Sequence, residues 1–226
     1  MANTFLTMQT RIADELVNEP LTTAQIKNAI ISAIGDYENT SFYFNQKRGT
    51  LSVPTFNTVS GQEFYTSTSN ADIPNISKFF SASASLSSSW NSLEAIDFDE
   101  IERTQTGAII GFPIAYAYFN QQIRLYPIPD AIYPVSISYT YKFTTLSADA
   151  DTNAWVDDAE EMIRQAAKYR LAMDVLHADD IAARCMRMEQ NAYDGLMQET
   201  RQKYPNTTLR IPSMQSSRTF NINRGY

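Results

Sequence analysis

The hydrophobic period of this chain changes twice, and those two changes restrict the folds open to it. Phe5, Met8, Ile12 and Leu16, then Ile26, Ile30, Ala33 and Tyr37, recur at helical intervals. From Thr40 the period falls to two, and after Asp149 it returns to that of a helix. The clearest alternation sets Val135, Ile137, Tyr139, Tyr141 and Phe143 against Ser136, Ser138, Thr140, Lys142 and Thr144, giving a strand with one apolar face. Ile114, Tyr116 and Tyr118 alternate in the same way, and Ile123 and Leu125 begin another strand. Phe119, Asn120 and Gln121 between them read as a turn, because Asn tolerates the left-handed region. Phe112 to Ser147 is therefore expected to form a three-strand unit.

The flanks carry helix signals. Thr4 is an N-cap, and Pro20 ends the first helix because Pro cannot continue it. Thr22 with Gln25 fits a capping box for the second, making an αα-hairpin. Beyond the acidic turn, Ala159, Met162, Ile163, Ala166, Tyr169 and Met173 line a helix predicted to run from Asp157 to about Ala178. Asp179 and Asp180 are placed to cap a fourth helix, with Ile181, Cys185, Met188, Ala192 and Leu196 inward and Pro205 closing it. In the middle, Gly49–Pro54 (GTLSVP) reads as a short strand and Ile73–Ile76 as an extended piece. Ser81–Ser89 (SASASLSSS) reads as a solvated loop or weak edge strand, and Leu93–Glu102 fits a strand or one helical turn. The expected class is α+β: a four-helix bundle formed from both chain ends, residues 1–40 and 150–206. An antiparallel β-sandwich or barrel-like domain, 41–149, is inserted in it, and an extended C-terminal arm, 207–226, follows.

At 226 residues the chain has room for a sizeable core. No apolar run approaches the roughly 20 residues of a membrane span, and no basic start precedes an apolar block as in a secretory signal. The lone Cys185 cannot form an internal disulfide, so a cytoplasmic setting is expected. A net charge of −7 argues against a protein that grips duplex DNA through phosphate neutralisation. The charge is unevenly spread: after Pro205 there are Arg210, Arg218 and Arg224 and no acidic side chain.

Chemistry-bearing patterns are weak. Seven scattered glycines include none before a Lys–Ser/Thr pair, and one Cys with one His excludes a typical zinc site within a single chain. His177 reads as a helix-terminus or packing residue and Cys185 as a buried inert thiol. Asp97, Asp99, Glu100 and Glu102 would supply two carboxylates for glycoside hydrolysis, but a solvated face is the simpler reading. Asp149, Asp151, Asn153, Asp157 and Glu160 fall at calcium-loop positions, yet Ala154 replaces the required Gly and a strand leads in. An acidic turn whose carboxylates face a helix N-terminus is preferred there. No catalytic, cofactor-binding or metal residue is assigned.

Specific stretches carry a resemblance. They are the helix pair ending near Tyr37, the strand with Pro113, Tyr116 and Tyr118, Leu125–Pro129 (LYPIP), and Ser138–Asn153. Within the last, Tyr139, Tyr141, Leu146, Ser147, Asp149, Asp151 and Thr152 lead into the helix from Asp157. Together these resemble the phage head-to-tail adaptor (neck or head-completion) proteins of short-tailed phages, the subgroup with a β domain inserted in a helical bundle. Asn120–Gln121 departs from the pattern, since related chains often have Gly there. The resemblance implies a non-enzymatic structural virion protein, made in the host cytoplasm and located in the neck. It implies a ring of about twelve subunits under the portal protein. The ring would extend the channel through which genomic DNA passes without specific binding, and present a platform for tail nozzle or fibre proteins. It also implies that the arm lies along the portal, with Arg210, Arg218 and Arg224 toward acidic groups and Ile211, Phe220, Ile222 and Tyr226 in apolar grooves. A tail-associated receptor or carbohydrate-binding module, and a wall hydrolase, are the alternative readings.

Overall fold

The computed structural model describes residues 3–16, 20–50, 52–68, 73, 75–104 and 109–203. The first helix, Phe5–Glu15 (α1), starts at a reciprocal cap in which the Thr7 N–H donates to Thr4 Oγ1 and the Thr4 N–H to Thr7 Oγ1. Thr22 and Gln25 close the expected capping box ahead of Thr23–Tyr37 (α2). Phe5, Met8 and Ile12 of α1 are buried, as are Ile26, Ala29, Ile30, Ala33 and Ile34 of α2.

Six strands and a helix follow: Gln46–Arg48 (β1), Phe56–Asn57 (β2), Phe64–Tyr65 (β3), Ile76–Leu86 (β4), Ser89–Ser92 (β5), Glu94–Ala95 (β6) and Phe98–Thr104 (α3). Ala115–Phe119 (β7), Gln122–Tyr126 (β8) and Pro134–Tyr141 (β9) complete the strands. The strands make two mostly antiparallel sheets. One is ordered β1-β9-β4-β5 with β2 also on β9, the other β3-β8-β7-β6 with β6 parallel to β7. The fold class is α+β, as the changes of period require.

Three expectations for this region are corrected, and one left open is resolved. The Phe112–Ser147 unit is divided, because β7 and β8 form a hairpin in the second sheet while β9 lies inside the first. Period two reports a half-buried strand but not its partner. Ser81–Ser89 is neither loop nor edge: most of it belongs to β4, the longest strand, which lies between β9 and β5. Its alternation is present, with Ala82 and Ala84 buried, but small residues mute it. Gly49–Pro54 is not a strand in the described residues, the strand instead preceding it at β1. Leu93–Glu102 contains both β6 and α3. Gly49 is needed for packing, since a Cβ there would meet Thr55 Oγ1 at 2.6 Å and Ser136 Oγ at 2.8 Å.

After β9 the predicted single helix is broken. Asn153 caps Ala154–Asp157 (α4), its side-chain oxygen accepting from the Trp155 N–H; Glu160–Leu171 (α5) follows. A π-helical turn, Ala172–Leu176, ends at His177 in the left-handed region at φ 53°. Asp179–Lys203 (α6) then runs for 25 residues. Asp179 and Asp180 sit in its first turn, where negative charge complements the helix dipole. Of the predicted inward stripe, Cys185 and Leu196 are buried and Ile181 and Ala192 pack partly buried against the core, whereas Met188 is exposed; Ala182 and Thr200 are buried in addition. Helices α1, α2 and α6 all pack on α5.

Buried side chains form two clusters. One joins α1, α2, α4, α5 and α6 through Phe5, Ile12, Ile30, Trp155, Val156, Met162, Ile163 and Leu171. The other lies between the sheets, with Phe56, Tyr65, Ile76, Tyr116, Ile123, Leu125, Val135 and Ile137. An aromatic group marks the meeting of helices and first sheet. Trp155 stands edge-on to Phe42, Phe44 and Phe143 at 5.9, 5.0 and 6.4 Å.

Candidate interaction surfaces

The acidic turn after β9 uses its carboxylates within the fold. Asp151 accepts from the Ser147 and Ala148 N–H groups, both at 2.8 Å, and these bonds to the ionised form hold its carboxyl below the usual carboxylate range. Asp149 is also lowered, by the Lys27 ammonium 2.7 Å away. The backbone carbonyls of Asp151 and Asp149 accept from the Phe5 and Leu6 N–H groups at 2.8 and 3.0 Å, satisfying donors that begin α1 without an intrahelical partner. Asp157 lies 3.0 Å from the Thr152 hydroxyl, and Glu160 pairs with Arg11 and Arg164. The calcium-loop residues thus face separate protein partners, and Asn153 caps α4. Among the described residues, no group of three or more His, Cys, Asp or Glu side chains is placed to hold a metal.

The second sheet carries a feature that the sequence pattern did not reveal. Arg124 of β8, 3% exposed, lies 2.5 Å from Glu63 and 2.8 Å from Glu102. Its guanidinium is 5.2 Å from the Phe64 ring centre and 4.7 Å from that of Phe98. This arrangement binds α3 to the sheet. Glu102 is one of four carboxylates considered for hydrolysis; of the others, Asp97 accepts from the Asp99 N–H at 3.0 Å. Outside this node Phe98 meets Phe119, which is 65% exposed at the β7–β8 turn. Phe64, Phe98 and Phe119 therefore make an aromatic patch over a charged base.

Another apolar spot lies at the β4–β5 turn, where Leu86 and Trp90 meet Ile132, Tyr133 and Pro134 around a cavity of about 350 Å³. Ile132 is 72% exposed. The two residues of that turn, Ser87 and Ser88, both have positive φ, as do Asn120 and Gln121 in the β7–β8 turn. Edge strand β1 exposes Lys47 and Arg48, charges that discourage unintended strand pairing.

On the helical side a cavity of about 430 Å³ opens between α2, α5 and α6, bounded by Asp36, Tyr37, Tyr169, Arg170, Met173, Asp174, Met186, Glu189 and Gln190 among others. Arg170 pairs with Asp36, and the Tyr37 hydroxyl donates to Glu189. Burial, then that acceptor, raise the Tyr37 phenol well above its ordinary value. His177 and Cys185 are structural in position. His177 Nδ1 is 3.1 Å from the Met173 carbonyl at a helix terminus, and burial raises the Cys185 thiol.

The sequence-assigned contact residues Arg210, Ile211, Arg218, Phe220, Ile222, Arg224 and Tyr226 lie outside the described residues. The Arg124 node was missed because its partners are distant in sequence. The exposed apolar spots were missed because strand alternation does not say which apolar side chains stay in water. The sequence model of the SU10 adaptor protein family matches residues 3–212. No curated protein matches the chain.

Proposed function

This chain belongs to the SU10 adaptor protein family, and from that premise we propose that it forms a ring beneath the portal of a short-tailed phage, continuing the DNA channel toward the tail. The family is one of phage head-to-tail adaptors, structural proteins of the virion neck. The match along nearly the whole chain is the observation that carries the reading, and the order of helices, strands and helices accords with it.

In this reading the chain divides into a helical bundle, 1–40 and 150–206, an inserted β-rich domain, 41–149, and a portal-binding arm, 207–226. About twelve copies close through one repeated heterologous contact. The β domain presents the exposed Phe119, Leu86 and Ile132 to tail nozzle or fibre proteins, because exposed apolar spots of this kind suit protein partners. Arg210, Arg218 and Arg224 meet portal carboxylates, while Ile211, Phe220, Ile222 and Tyr226 fill apolar grooves beside them. The net charge of −7 gives passing DNA few cations to hold, so phosphates slide. No catalytic role is part of this function.

Native mass spectrometry with and without portal protein tests the reading. The full chain is expected to associate with portal, and deletion of residues 207–226 to abolish or weaken docking with an unchanged circular dichroism spectrum. A full chain that never associates with portal overturns it.

A further inference from the structure

Helix α6 has two flanks that complement each other in charge and match in character. On one flank Met186 and Glu189 line the cavity shared with α2 and α5, together with Met173 and Asp174 of the π-helical turn. On the other, Arg184 and Met188 stand one turn apart, with the exposed Arg187 beside them. Met186 follows Arg184 by two positions (186 − 184), which turns about 200° around a helix, so the two side chains leave α6 on nearly opposite sides. Both flanks expose methionine: Met173 and Met186 are 41% and 59% exposed, and Met188 is 42% exposed. The charges are opposite. In the groove Arg170 is paired with Asp36, which leaves Asp174 and Glu189 as the surplus, and among the described residues neither has an ion pair. Arg184 and Arg187 have none there either, and Asp180, one turn before Arg184, does not pair with it.

Taking the ring reading above as the basis, we propose that these flanks are the two halves of one contact between copies of this chain. Arg184, Arg187 and Met188 of one copy seat in the groove of the next. The guanidinium groups meet Asp174 and Glu189, and the Met188 thioether lies against Met173 and Met186, flexible side chains that adapt to an imperfect surface. A second copy suits the groove because the complementary patch is carried by the same helix at the same level. Two positions along α6 are a rise of only about 3 Å, so copies related by rotation about an axis parallel to α6 meet without climbing. Unlike patches on opposite sides leave each copy open to a further one, and a level contact closes as a ring, where a climbing one gives a filament.

The test mixes two full-chain variants, one with Met173→Cys and one with Met188→Cys, the native Cys185 being buried. Mild oxidation without portal is expected to give a covalent heterodimer with a 173–188 disulfide, located by peptide mass mapping. Arg184→Glu in the Met188→Cys chain is expected to cut its yield about fivefold or more, and Asp174→Lys in the other chain to restore it. Absence of the 173–188 bridge, or a yield that the two charge reversals leave unmoved, overturns the proposal. A 173–173 or 188–188 bridge formed as readily by either variant alone also overturns it, by showing an isologous pair. Portal association is scored separately by native mass spectrometry, so loss of this contact and loss of the portal reading are distinct results.

Discussion

Arg124 shows how much one residue can hold together that local sequence does not announce. Its partners Glu63, Phe64, Phe98 and Glu102 come from two stretches distant from it in sequence, and only the fold brings them to one guanidinium. Removing it with Arg124→Met leaves Glu63 largely buried without its cation, which is expected to cost about 3 kcal/mol. Glu102→Gln removes the more exposed partner and is expected to cost under about 1 kcal/mol. Urea denaturation of both variants measures the difference, and equal losses would show that the node is not organised around the buried pair. By contrast, the threonine caps at Thr4 and Thr22 were legible, because their partners lie three residues away.

At the scale of elements, legibility followed how much of the signal was local. α1 and α2 were readable because caps and stripes lie within each helix. β4 was not, because its Ser and Ala side chains give weak contrast and its place between β9 and β5 depends on distant pairing. The break between α4 and α5, and the π-turn after α5, fall within one continuous apolar stripe, so periodicity could not mark them. The contact residues proposed between Arg210 and Tyr226 lie outside the described residues. The turn that seats α1 carries a prediction of its own. Asp149 and Asp151 have folded values below their ordinary ones, so their stabilisation is full above the ordinary carboxylate range and is lost as pH falls through the lowered values. The urea midpoint is expected to fall on acidification from about pH 5 to about pH 3, and Asp151→Asn to make that fall shallower. A slope unchanged by the substitution would exclude Asp151 as a contributor.

Across the whole molecule, the helical core and the sheet core meet at the rings of Phe42, Phe44, Phe143 and Trp155. Trp155 is almost wholly buried, and Trp155→Ala is expected to cost about 3–5 kcal/mol. If those rings couple the two cores, the loss also separates their unfolding, and calorimetry of the variant shows two transitions where the parent shows one. A single transition at lower temperature would mean that coupling comes from elsewhere along the junction.

The chain passes between helices and sheets twice, and the two passages lie side by side. The Tyr141 N–H donates to the Asn45 carbonyl at 2.7 Å, and Lys142 reaches Glu38 at 2.9 Å. A force drawing the sheets away from the helices is therefore carried by two neighbouring backbones under tension, rather than by a single tether. Because each passage is held to the other, the molecule resists bending at this waist in the direction that would spread them.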